Sequence, residues 1–186
     1  MSEVRKCYYD YKQMNVNVWN KLLRRNFIIE NNILFGDVVL FEDWLWTFCL
    51  LKHIKKACFV SAITYHYKER PGSVTTGSYV RLRMENYGVV FKKILSNLTS
   101  GHEKEEFNYY AQWVSRIYLR NLRNEHGFEE ILKQYMEKSK LYGRCHVRLM
   151  LLAAHCTGKF RYGWFAVETL RCVIYPRQFR NNIKRF

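Results

Sequence analysis

Acid is scarce in this chain. Of 186 residues, 16 are Asp or Glu against 31 Lys or Arg, which leaves a formal net charge of +15. So large a positive excess draws a protein to polyanions: nucleic acid, anionic lipid headgroups or phosphorylated substrates. Long apolar runs are missing too. The longest candidate, "VRLMLLAAHC", is flanked by basic residues and falls well short of the ~18 residues of a membrane span. The six cysteines (Cys7, Cys49, Cys58, Cys145, Cys156, Cys172) form no CxxC pair and no regular framework. Reduced thiols in a cytosolic compartment are therefore expected. The opening residues "MSEVRKCYYDYKQMN" have no apolar h-region and are not expected to be a signal peptide. No internal repeat or low-complexity linker is found. These absences leave a cytoplasmic protein, soluble or peripheral at the inner face of the plasma membrane.

What is present is aromatic. Phe, Trp and Tyr make up 17% of the chain, within a hydrophobic share of 48% and a charged share of 25%, so a packed globular domain is expected. From about Val16 to Ser73 the pattern is mixed. "VNVWNKLL" reads as extended, and "RRNFIIENN" as a short helix ending in asparagines that tolerate a left-handed cap. "ILFGDVVLF" is broken by a turn at Gly36-Asp37. "DWLWTFCLLKHIKK" is apolar nearly all round and ends in lysines, as a buried helix does. "ACFVSAITYHY" is β-branched and aromatic, so a strand is predicted before a Pro71-Gly72 turn.

From Tyr79 onward the periodicity is helical. Phe107, Tyr110, Ala111, Val114, Ile117 and Tyr118 form one stripe, with Ser100 and Glu103 at capping-box spacing ahead of it. Further helices are predicted over 127–141, 144–156 and 160–174, separated at Gly127, Gly143 and Gly158. Pro176 ends the last. The fold class expected is therefore α/β passing into all-α, divided as 1–77 and 78–186.

One short stretch, "VVLFEDWLWTF", sets Glu42 and Asp43 side by side among apolar groups. An ionised carboxylate is costly to remove from water unless something pairs with it or uses it. Asp43 reads either as the N-cap of a helix or as a general base on a pocket floor.

Taken in order, "VWNKLLRRNFIIENNILF", "FEDWLWTFCLLKHIKKACFV" and "TYHYKERPGSV" resemble the second half of family 2 glycosyltransferases of the GT-A fold, especially those building bacterial surface polysaccharides. The elements that carry the resemblance are Trp19 to Arg25, Phe35 with Glu42-Asp43, Tyr65-His66-Tyr67, and Arg70-Pro71-Gly72-Ser73. Together they span residues 16 to 75. The resemblance implies sugar transfer from a nucleotide-diphosphate donor to an acceptor hydroxyl of a glycan or lipid-linked acceptor. Asp43 is then the base, with Glu42 orienting it. Phe41, Trp44 and Trp46 are expected as walls, the tryptophans stacking on acceptor sugar. Arg70 and Ser73 would hold diphosphate oxygens, and His66 would complete the shell of a divalent Mn²⁺ or Mg²⁺. Lys21 matches a recurrent family lysine, with no physical role to assign it.

The family's donor half ends in D-x-D. The only aspartates here are Asp10, Asp37 and Asp43, so that motif is absent, as is any glycine-rich phosphate loop. Residues 1–77 thus look like the acceptor-side remnant of a GT-A domain, followed by a helical extension. Little activity is expected alone, and a separate donor-half chain is an implied partner.

Three other readings stay open. "CH" at 145–146 and "HC" at 155–156 suggest zinc, but on one helix Cys145 and Cys156 lie about 16 Å apart at ~1.5 Å per residue, too far for one ion. Residues 140–186 hold ten Lys or Arg against Glu168 alone, interleaved with Phe160, Trp164, Phe165, Ile174, Tyr175 and Phe179. That pattern suits an anionic membrane surface or a solvated basic face. A nucleic-acid-binding module, or a catalytically silent partner of another transferase, is the remaining class.

Overall fold

The computed structural model describes residues 2–9, 14–63, 65–68, 71–72, 80–120 and 128–157. The described chain is helical: α1 (Glu3–Tyr9), a 3-10 turn (Val18–Asn20), α2 (Arg25–Glu30), α3 (Glu42–His53), α4 (Val80–Ser96), α5 (Glu103–Arg120), α6 (Phe128–Tyr142) and α7 (Cys145–Thr157). It divides into two compact units between His102 and Glu103, so α4 belongs with the first.

The α/β expectation is overturned. Among the described residues there is no β-strand, and the chain is not an α/β GT-A fold. "VNVWNKLL" contains the 3-10 turn. Within "ACFVSAITYHY" the described residues 57–63 and 65–67 run without regular structure, and among the described residues none of the backbone–backbone hydrogen bonds outside the helices involves residues 55–63. The physical reason is that β-branched and aromatic residues fit a pleated surface, whereas a strand exists only where a neighbour supplies a ladder.

In the first unit the organising element is α3. Ile33, Trp46 and Leu50 form a buried cluster, against which Val18, Leu23, Phe27, Ile28, Cys49 and Ile54 pack. The 14–23 segment and α2 thus cover one side of α3. On another side α3 packs on α4, with Trp44 set edge-on against Phe91 at 5.7 Å. From α1, Arg5 donates to Leu51 O at 3.1 Å, and Lys52 donates to Asn97 O at 2.7 Å. The expectation of a helix buried nearly all round holds. So does the left-handed asparagine after α2, since Asn32 has φ +50°. The Gly36-Asp37 turn is present, closed by Val38 N–H donating to Gly36 O at 2.8 Å.

The second unit packs α5, α6 and α7 against one another. The whole predicted stripe on α5 is buried, with Phe107 stacked on the fully buried Tyr135 of α6 at 5.5 Å. The capping box is not formed: α5 begins at Glu103, and Ser100 sits instead in a turn where His102 N–H donates to Thr99 O. Gly101 takes the positive φ of +78° in that turn. The helix predicted over 127–141 is found at Phe128–Tyr142, and 144–156 at Cys145–Thr157. Because α7 is unbroken, Cys145 and Cys156 cannot share one ion. Gly127, Gly158, the 160–174 helix and the basic tail from residue 158 lie outside the described residues. The described cysteines Cys7, Cys49, Cys58 and Cys145 are free thiols, and no helix among the described residues is long and apolar enough to cross a membrane.

Between α6 and α7 the chain reverses at Gly143, where an added Cβ would meet Ser139 O at 2.7 Å. Two side chains close the reversal. Arg148 donates to Ser139 O at 2.8 Å and Lys140 O at 2.6 Å, filling the carbonyls that end α6. Buried Asn108 on α5 donates to Tyr142 O at 2.9 Å and accepts from Arg144 N–H at 2.8 Å. Asn108→Ala leaves both backbone groups without that partner. It is expected to lower unfolding stability by about 2 kcal/mol, read as a fall in urea midpoint at unchanged slope. An unmoved midpoint would show that the amide is dispensable.

Candidate functional site

The site is built from the start of α3 and the loop that crosses it. Phe41 stands at the N-cap with left-handed φ +64° and ψ 23°, and no side chain caps the helix. This corrects the cap reading of Asp43, which is instead the second residue of α3. A bulky residue in that region carries strain of roughly 1–3 kcal/mol. It is held there by neighbours. The Phe41 ring stacks face to face on Tyr87 of α4, with centroids 3.7 Å apart and planes 10° apart. Leu40 N–H donates to Asn86 Oδ1 at 3.1 Å.

Opposite, Thr47 Oγ1 donates to Val16 O at 3.0 Å, which clamps the 14–23 loop onto α3 one turn beyond Asp43. The 3-10 turn then sends Lys21 back beneath its own loop. Its Nζ donates to Asn15 O at 2.5 Å, Asn17 O at 2.5 Å and Asn20 Oδ1 at 2.9 Å. An ammonium enclosed by three neutral oxygens is oriented without being neutralised.

The two charges perturb each other. Burial, and then the Glu42 carboxylate beside it, push the Asp43 carboxyl above the ordinary aspartate range. Backbone N–H groups of Trp44 and of Asp43 itself, and the Lys21 charge, hold it down in part. Burial lowers Lys21 to about 8, with Asp43 opposing. The result is a carboxylate with increased affinity for a proton, coupled to an ammonium that yields its own more readily. Such a group suits general-base work near neutral pH.

The other expected residues are distributed less simply. Glu42 is half-buried at the first position of α3. Trp44 and Trp46 are core residues, 9% and 4% exposed, so neither ring faces outward as the acceptor-stacking reading requires. The misplacement follows from period: a helix buried on several sides turns both rings inward. Arg70 and Ser73 lie outside the described residues. Between them Gly72 has the φ of +73° that a type II turn needs.

His66 is exposed in the extended segment. No group of three His, Cys, Asp or Glu among the described residues is placed to hold a metal ion. The donor set for Mn²⁺ or Mg²⁺ is not assembled around His66 or Asp43, and no step is routed through a metal.

An aromatic platform was not anticipated. Trp19 stacks on Tyr65 at 4.5 Å and on Tyr67 at 5.9 Å, with planes within 23°. All three rings stay about half exposed: 47%, 49% and 51%. The signal was available, because residues two apart on an extended chain share a side. Trp19 is also two residues from Lys21, so one ring of the platform and the caged ammonium share one loop.

No family model, curated protein or solved structure matches the chain. Function therefore has to be argued from these side chains.

The raised Asp43 carboxyl gives a stability test. Its folded form binds protons more readily than the unfolded chain, so stability falls as pH rises from the unfolded value of about 3.9 through the raised folded one. Asp43→Asn is expected to raise the melting temperature at pH 7, with the gain vanishing below about pH 3.9. A cap role predicts a loss instead, so thermal unfolding across pH separates the two. Lys21→Met should raise the Asp43 carboxyl further, read by carboxyl-carbon NMR titration; an unmoved titration would uncouple the pair.

Proposed function

We propose that the first unit activates an acceptor hydroxyl in a glycosyl transfer, with Asp43 as the base. The observation that carries this reading is the half-buried, proton-avid Asp43, electrostatically coupled to Lys21, which is caged in the loop that also presents Trp19. As the hydroxyl oxygen bonds to the anomeric carbon of a nucleotide-diphosphate sugar, its proton passes to the Asp43 carboxylate. The anomeric carbon–oxygen bond to the diphosphate breaks with its electron pair, and the sugar inverts in one displacement. Glu42 disfavours the ionised state of Asp43 and so strengthens it as a base. Lys21 opposes that rise.

The acceptor sugar packs on Trp19, Tyr65 and Tyr67. The apolar C–H face of a pyranose gains from contact with an aromatic face as other apolar surfaces do. The resemblance over residues 16–75 supports the reaction class, and the GT-A fold is no part of the proposal. With no D-x-D in the sequence, the donor site comes from residues other than these, on a donor-half partner.

The test belongs in cells that make the protein together with its partners. Replacing the Asp43 codon by Asn is expected to lower surface-polysaccharide output about 100-fold or more, with the protein at undiminished level. Trp19→Ala should weaken use of acceptor while leaving the Asp43 titration in place. Unchanged output with Asp43→Asn would remove the base and leave a basic, non-catalytic binding module.

A further inference from the structure

Beyond α3 and Ile54 the chain runs without regular structure through Lys55–Ile63, "KKACFVSAI", with every one of these residues exposed. Large apolar groups face water: Phe59 is 64% exposed, Val60 76% and Ile63 83%. Taken up into a ladder, the segment would set Phe59 on one side and Val60 on the other. A run that is apolar on both sides is the pattern of a strand covered on both faces. The backbone makes the same demand, since none of the backbone–backbone hydrogen bonds among the described residues reaches residues 55–63. A helix or an apolar groove can cover side chains, whereas another strand also pairs with exposed backbone N–H and C=O groups.

Charge decides which strand. From Trp44 to Lys68 there is no acidic residue, while Lys52, Lys55, Lys56 and Lys68 are basic. A second copy of the chain brings the same lysines and a net charge of +15, and so repels. We infer that Lys55–Ile63 is a docking strand that pairs edge to edge with an acidic, extended segment of a different polypeptide. Strand addition gives the partner affinity through the backbone and selectivity through the lysines at the segment's start. This surface is separate from Asp43 and Lys21, and its test reads binding rather than transfer.

The probe is a nine-residue peptide alternating valine with glutamate, its ends blocked, added to the full chain. The expected result is slowing of amide exchange across residues 55–63 by tenfold or more. Alkylation of Cys58, exposed and free within the segment, should slow equally, while exposed Cys145 is unaffected and serves as reference. The effect should weaken at least tenfold with 0.5 M salt, or with lysine in place of glutamate in the peptide. It should vanish when alternate peptide nitrogens are methylated. In the chain, Val60→Pro and Phe59→Asp alter exposed positions and should each abolish it at unchanged helical content. Equal protection by the methylated peptide would mean apolar adhesion without strand pairing. Equal protection by the lysine peptide would remove the acidic partner. Protection that rises with protein concentration alone would make the occupant a second copy, and no protection at millimolar peptide would end the proposal.

Discussion

Burial of α3 is the constraint on which the first unit depends. A helix that reads "EDWLWTFCLLKH" has no polar face to leave in water, so it must be wrapped: by the 14–23 loop and α2 on one side, by α4 on another, and by Arg5 of α1 at its end. Wrapping draws the first turn out of water along with the rest. Glu42 and Asp43 are carried into a partly desolvated position because Trp44, Trp46 and Phe48 follow them and must be covered. The raised Asp43 carboxyl is thus a consequence of core packing, and the loop that covers the core also delivers Lys21 to it.

How much of this was legible in the sequence depends on whether a feature is local. The helices of the second unit are local: Phe107 to Tyr118 recur at three and four, and the stripe is buried throughout. The left-handed Asn32 is local as well. The strands were misread because a strand is a relation between two segments, and residues 55–63 have the side chains of one without a ladder beside them. The cap alternative for Asp43 fails because the N-cap is Phe41, whose geometry depends on stacking against Tyr87, 46 residues away. Trp44 and Trp46 were read as pocket walls because they flank the acids. Helical period turns them into the core, and the exposed rings come instead from residues 19, 65 and 67.

The two units handle their buried polar groups differently. At the α6–α7 reversal, Asn108 and Arg148 hydrogen-bond to backbone groups at the two helix ends, and Ser139 O accepts from both Arg148 and the Gly143 N–H. A polar network so arranged specifies geometry and adds stability. It uses up the hydrogen-bonding capacity that a ligand would need, which marks this region as architecture.

Around α3 the balance is reversed. Within positions 21 to 43 lie an ammonium lowered to about 8, a carboxyl raised above its ordinary value, and an aromatic residue in a left-handed conformation. Each of these destabilises the fold, and each persists only because Tyr87, Thr47 and the asparagine oxygens hold it. Neutral replacements at Asp43 and Lys21 relieve the charge burial, and glycine at Phe41 relieves the backbone. Strain that is relieved by simple substitutions and gathered around the start of α3 is a pattern that also occurs where reactivity rather than stability sets the residues. That concentration is what supports the proposal of chemistry at Asp43 over the other described acids.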